Sequence, residues 1–174
     1  MHAIQKNLDE LQRATMIRIS LDGIDAAGNI EFLFLKLVRN SLFNDYISKC
    51  IKIFEDGKQS ASLLYIHRSN ERLFRDTAEK LNIDISMFQN LVPKLKHLRD
   101  KAHFHLDREG IGDVNIVWGA ANINEGELRT CVLSAQLILS ELASKFDLKR
   151  ETIPKEYNAV IPYRIAQAIN SGNW

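Results

Sequence analysis

The sequence predicts an all-α protein, an antiparallel bundle of about five helices followed by a C-terminal extension. Three observations lead to this fold class. Apolar residues recur at three- and four-residue steps along most of the chain, which is typical of amphipathic helices. The segment 125–147 holds an uninterrupted seven-residue apolar repeat, which suits near-antiparallel helix packing. Only residues 108–123 carry a strand-like alternation, and their three glycines favour a loop with at most a short extended piece.

Composition excludes several classes of protein. A chain of 174 residues with 45% hydrophobic residues is expected to form one domain with a real core. The net charge of +1 gives no global basic field, so any RNA contact must be local. Cys50 and Cys131 are isolated, which argues against a thiolate metal site or a disulfide scaffold, and Cys131 is expected to be buried. Without a signal-like or membrane-spanning apolar run, we expect a cytoplasmic setting and no membrane partner.

The first three helices are predicted from their apolar stripes. A helix at about 3–21 ends at a break at Asp22-Gly23, and Asp25 is a candidate N-cap for the next one. The second, at about 26–56, is apolar around much of its circumference, which predicts several neighbours and leaves room for a second copy of the chain among them. The third, at about 61–81, is capped by Ser60 or Ser62 and exposes a charged face.

The central helix is predicted at about 86–107, with Asp84 or Ser86 as its cap. Pro93 either kinks this helix or restarts it. The loop that follows holds Trp118. We expect its side chain to cover the apolar core of the bundle, and the alternative is that it stacks on a base.

The last elements follow from a cap and a proline. Asn124 with Glu127 reads as a capping box for the helix at about 125–147. Pro162 suits the first turn of a short helix from Tyr163 to Asn170. We therefore expect a bundle at 1–147 and a C-terminal appendage at 148–174, packed on the bundle or on a partner.

The central helix combines an apolar stripe with unusual polar residues. Its stripe comprises Phe88, Leu91, Leu95, Leu98 and Ala102, and the next position on it is His105. His105 projects about 20° from Leu98 on an α-helix, where a leucine would be expected. Arg99 and His103 share a neighbouring face. Because arginine offers a fixed donor fork to phosphate oxygens and histidine moves protons near neutral pH, we interpret the pair as a phosphate-handling site.

The stretch Arg99-Asp100-Lys101-Ala102-His103-Phe104-His105 resembles the Arg-polar-(few residues)-His signature of HEPN domains. These are small all-helical domains associated with nucleotides and RNA. The likeness is greatest to their abortive-infection, phage-exclusion branch and extends more loosely, as a similar run of helices, over about residues 25–147. The sequence departs from the pattern at His103, where an apolar or aromatic residue is usual, so either histidine is a candidate for the functional one.

The resemblance implies a homodimeric, metal-independent endoribonuclease of phage defence or of a toxin–antitoxin system, with no cofactor and with an antitoxin protein as a possible partner. On the family's scheme the RNA 2′-hydroxyl is the nucleophile, His105 the general base or acid, and Arg99 the group that holds the scissile phosphate. Asp100 would orient Arg99 or a histidine. His103 would be the reserve acid or base, and Lys101 and Lys96 would contact the substrate.

Less specific interpretations compete with this one. In one of them, His105 is a core histidine and Arg99 is solvated. The chain is then a non-catalytic helical dimerisation or interaction protein with a degenerate motif. On a straight α-helix Arg99 and His105 diverge by roughly 120°, so a shared site would need a two-fold dimer. A metal site is disfavoured because His103 and His105 would point about 200° apart. Phosphate-binding glycine loops and nucleophile elbows are lacking from the sequence.

Overall fold

A computed structural model describes residues 1–28, 30, 32–57, 60–103, 119–148, 153–154 and 156–172, and at 102 and 103 it describes the backbone alone. All regular secondary structure in these ranges is helical, so the all-α prediction is confirmed. Within the same ranges, no helix combines the length and apolar character that a membrane span requires.

Seven α-helices and one π-helical turn account for the longer elements of the described residues. They are α1 (His2–Ala26), α2 (Leu33–Phe54), α3 (Leu63–Ser69), α4 (Glu71–Lys80), α5 (Ser86–Leu98), the π turn (Arg99–His103), α6 (Glu125–Lys145) and α7 (Val160–Asn170). A further helical segment covers 119–121.

The chain divides into two compact units. Unit 1 comprises Met1–Leu11 and Cys50–Arg150, and unit 2 comprises Gln12–Lys49 and Glu151–Trp174. Helices α1 and α2 each contribute residues to both units. The boundary drawn from the sequence at 147/148 stays a prediction.

Unit 1 is built around the apolar faces of α3, α4, α5 and α6. The predicted stripe of α5 is buried at Phe88, Leu91, Leu95 and Leu98, and each such side chain contributes roughly 1.5–3 kcal/mol on burial. The ring of Phe88 stacks on Phe54 at the end of α2, with centroids 5.8 Å apart. Polar contacts join the helices at the surface: Lys94 on α5 donates to Glu127 on α6, and Lys80 on α4 donates to Glu141 on α6.

Unit 2 shows why one predicted boundary is wrong. The expected break at Asp22-Gly23 is absent, because α1 continues to Ala26, and Asp25 therefore lies inside α1 instead of capping α2. Gly23 is instead a point of close approach, since a Cβ there would overlap the carbonyl oxygen of Ala159 and lie 2.9 Å from Pro162 Cβ. Unit 2 also holds a small core of Ile24, Leu35 and Ala166.

Two caps are confirmed and one helix is corrected. The Ser62 hydroxyl accepts from the Tyr65 N–H at 3.3 Å, and the Asn124 side chain accepts from the Gly126 N–H at 2.7 Å. The predicted capping box is not formed, because Asn124 does not accept from the Glu127 N–H and the Glu127 carboxylate accepts from Lys94. The third predicted helix is in fact two, α3 and α4, because Asn70 leaves helical geometry with φ −143° and ψ 50°.

Candidate functional site

The π turn places Arg99 at the point where α5 ends. The buried stripe of α5 fixes this helix in unit 1, and Leu98, its last residue, is fully buried. Arg99 follows directly and opens the π turn. Such turns widen the helix by one residue per hydrogen-bonded ring and occur frequently at functional sites. Arg99 is therefore held at the edge of the core, with its guanidinium partly exposed to solvent.

Two carboxylates hold the Arg99 guanidinium. Its Nε donates to Asp100 Oδ1 at 2.8 Å, and its Nη1 donates to Glu55 Oε1 at 2.7 Å. Glu55 is the residue directly after α2. The hydrogen bond to Asp100, with the charges of Asp100 and Glu55, raises the pKa of Arg99 above its ordinary value despite some desolvation. The arginine is thus a permanently charged group fixed from two sides.

This arrangement determines what Arg99 can do chemically. The bonds to Glu55 and Asp100 use Nε and Nη1, and Nη2 donates to none of the residues that the structure describes. A phosphate oxygen could therefore be bound by Nη2 without breaking either anchor. Because the two carboxylates compensate the cation, such binding would depend more on directed hydrogen bonds than on net charge.

A cavity of about 310 Å³ also has Glu55 in its lining. It lies against the start of α1, the end of α2 and the segment before α3, and its lining residues are Lys6, Asn7, Glu10, Lys52, Glu55, Ser60 and Ala61. All of them belong to unit 1. Glu55 is therefore shared between the cavity and the arginine.

The structure describes only part of the predicted site. It brings Asp100 into contact with Arg99, as expected of an orienting residue. Lys96 is exposed on α5, and Lys101 is partly exposed in the π turn. His105 and Trp118 lie outside the described residues, as does the side chain of His103. The 120° divergence expected between Arg99 and His105 assumed α-helical geometry throughout, and the π turn removes that assumption.

Glu55 is the residue that the sequence did not single out. It lies 44 residues from Arg99 in the chain. An acidic residue at the end of a helix is common, so the pairing carries no local signal. Among the described side chains, no group of three or more potential metal ligands occurs.

No family model, no curated protein and no solved structure matches this chain. The fold and the site define an all-α protein that fixes one arginine between two carboxylates, next to a polar cavity.

Proposed function

We propose that the chain is a metal-independent endoribonuclease of the HEPN type. The observation that carries the proposal is the fixed guanidinium of Arg99, the arginine of the HEPN-like motif, held by Glu55 and Asp100. Electrostatic catalysis requires a donor that is charged and in position before the reaction begins. An arginine anchored at Nε and Nη1, with Nη2 directed to neither carboxylate, has these properties.

The proposed reaction divides the work between two residues. Arg99 binds a non-bridging oxygen of the scissile phosphate and offsets the charge that develops there. His105 removes the proton of the RNA 2′-hydroxyl or protonates the leaving 5′-oxygen, and His103 is the alternative for either task. In a homodimer, a two-fold axis would allow one protomer to supply the arginine and the other the histidine. Lys96 and Lys101 are the proposed accessory contacts to the RNA backbone.

The biological setting belongs to the same proposal. A ribonuclease of this type would act in phage defence or as the toxin of a toxin–antitoxin system, where a second protein neutralises it. Expression of the wild-type chain should then arrest growth, and His105→Ala should relieve the arrest at equal protein level. Equal growth with both chains would count against this setting.

The decisive test uses purified protein and total RNA in the presence of EDTA. We expect discrete cleavage by the wild type and its loss in Arg99→Ala and in His105→Ala, with unchanged helical circular dichroism. Arg72→Ala is the matched control, since Arg72 is 95% exposed on α4. Retained cleavage in both site variants would refute the mechanism.

A second candidate function, a non-catalytic interaction protein, is favoured by one observation in unit 2. At the start of α2, Leu33, Phe34 and Leu37 are 71%, 64% and 57% exposed. Phe32 and Phe34 also line an apolar cavity of about 550 Å³ with α7. Exposed apolar clusters of this kind often mark protein interfaces.

The interaction protein would dimerise through this part of α2. Phe34→Glu should then convert a dimer to a monomer in light scattering, whereas Leu137→Glu, at a position 55% exposed on α6, should not. A dimer that forms with no RNA cleavage would select this function over the ribonuclease.

A further inference from the structure

The cavity beside Glu55 is lined by two lysines, and we call it the Lys6–Lys52 cavity. Lys6 lies on α1, one turn before Glu10, and Lys52 lies on α2, one turn before Glu55. Its volume of about 310 Å³ falls at the lower end of the range for small-ligand sites, enough for a phosphate and part of a nucleotide.

The wall of this cavity is held in place by internal hydrogen bonds. Asn7 is buried, with 3% of its surface exposed, and its side-chain amide donates to Ala3 O at 2.9 Å and to Ala61 O. The Ser60 hydroxyl donates to Gly57 O at 3.1 Å, which closes the turn after α2. A wall fixed in this way loses little conformational entropy when a ligand binds.

Two cations and two carboxylates line the cavity, and the lysines are the groups suited to bind an anion. Lys6 and Lys52 are both exposed, and neither forms an ion pair with any residue in the described part of the chain. The Glu55 carboxylate is engaged by Arg99, and Glu10 also has an interaction of its own. Two lysine ammonium groups on flexible stems, facing one cavity, are suited to bind a phosphate group as point charges.

We infer that the Lys6–Lys52 cavity binds a backbone phosphate of single-stranded RNA, next to the phosphate bound by Arg99. The argument for a polynucleotide is the shared Glu55, because its carboxylate both lines the cavity and accepts from the guanidinium. A strand with one phosphate at Arg99 would place a neighbouring phosphate on the cavity side. The inference rests on the proposed function and adds to it the group that orients the strand.

The test measures binding without cleavage. The probe is a fluorescein-labelled 2′-O-methyl RNA 12-mer, which lacks the nucleophilic hydroxyl, and the readout is fluorescence anisotropy. Lys6→Ala/Lys52→Ala should raise the Kd about tenfold and reduce the slope of log K against log salt by about 0.7, the value for one phosphate on a single strand. Lys6→Arg/Lys52→Arg should bind as the wild type does.

The matched control is Lys36→Ala/Arg164→Ala, which removes two exposed cations from unit 2. Equal Kd values for the cavity variant and this control would overturn the inference, because only overall charge would then matter. If cleavage depends on Arg99 but the cavity variant binds the probe as the wild type does, the phosphate site in the cavity is refuted and the ribonuclease is not. If probe binding depends on both lysines but the wild type does not cleave ordinary RNA, the proposed ribonuclease activity is refuted. The cavity then remains an RNA-binding site.

Discussion

Glu55 Oε1 and Arg99 Nη1 lie 2.7 Å apart although the two residues are 44 positions apart in the chain. The contact joins the end of α2 to the end of α5 within unit 1. Because Glu55 also lines the Lys6–Lys52 cavity, any change in this carboxylate affects both the arginine and the cavity wall.

Glu55→Gln should lower RNA cleavage through Arg99. The amide can still accept a hydrogen bond but no longer carries charge, so the guanidinium is held less firmly. We expect kcat to fall about tenfold, whereas removal of a whole electrostatic donor lowers kcat by about 100- to 1,000-fold. The Kd for the 2′-O-methyl probe should change less, within about twofold, because glutamine keeps the shape of the cavity wall and both lysines remain. The measurement is single-turnover cleavage beside probe anisotropy.

The control for this variant is Glu141→Gln, which weakens the ion pair with Lys80 elsewhere in unit 1. Both changes should alter stability by less than about 1 kcal/mol, because all four groups are partly exposed to solvent. If the two variants reduced cleavage equally, Glu55 would have no special role in the site.

The all-α fold could be predicted because burial periodicity is a local property of the sequence. The stripe of α5 and the repeat of α6 are read directly from residue spacing. The structure buries Phe88, Leu91, Leu95 and Leu98 of the stripe, and it buries the repeat apart from the partly exposed Phe146. Gly23 was misread because a glycine usually weakens a helix, and only the position of Ala159 in space reveals its packing role. Asn70 interrupts the third predicted helix, an interruption that the apolar spacing on either side of it does not reveal.

Gly23→Ala should destabilise the protein, against the usual preference for alanine in a helix. An added Cβ would overlap Ala159 O, and the carbonyl is backbone that cannot rotate away. We expect a loss of about 1–3 kcal/mol in urea unfolding, typical of overpacking. Gly119→Ala is the comparison, since its Cβ would meet nothing within 4 Å, and it should be neutral or slightly stabilising. Equal effects at the two positions would show that Gly23 is not a packing contact.

The candidate site could be predicted only in part, for a geometric reason. Arg99 and Asp100 are neighbours in sequence, so their contact is visible in the motif. Glu55 reaches Arg99 only because α2 and α5 end close together, which no spacing rule encodes. The π turn was also unforeseen, since an apolar stripe of period 3.6 does not reveal where one extra residue is inserted.

Both cysteines should be unreactive in the folded protein. Cys50 and Cys131 are fully buried, and burial, followed by the charge of Glu127, raises the pKa of Cys131 to about 11. The thiolate is the reactive form, so at pH 8 a disulfide reagent should label neither residue until the protein unfolds. Ser144→Cys, exposed on α6, should react at once and serves as the positive control. Labelling of the native wild type at a comparable rate would contradict the burial of these thiols.

His67 should make the protein less stable in acid. It is buried on α3 with its ring 4.9 Å from that of Phe74, and its Nε2 has no hydrogen-bond partner among the described residues. Burial is the largest cause that lowers the pKa of His67 below its ordinary value of 6.5, and Arg75 adds to it while Glu71 opposes it. A histidine with a lowered pKa contributes its full stability above pH 6.5 and loses that contribution as the pH falls through the folded-state pKa.

The measurement is urea unfolding at pH values from 7.5 to 5. Between pH 6.5 and 5 the wild type should lose free energy of unfolding more steeply than His67→Leu, by up to about 1.4 kcal/mol per pH unit, the limit for one proton. Tyr65→Phe is the control, at a position 42% exposed on the same helix, and it should keep the wild-type slope. Parallel pH profiles for the wild type and His67→Leu would mean that the imidazole is charged or solvated in the folded state.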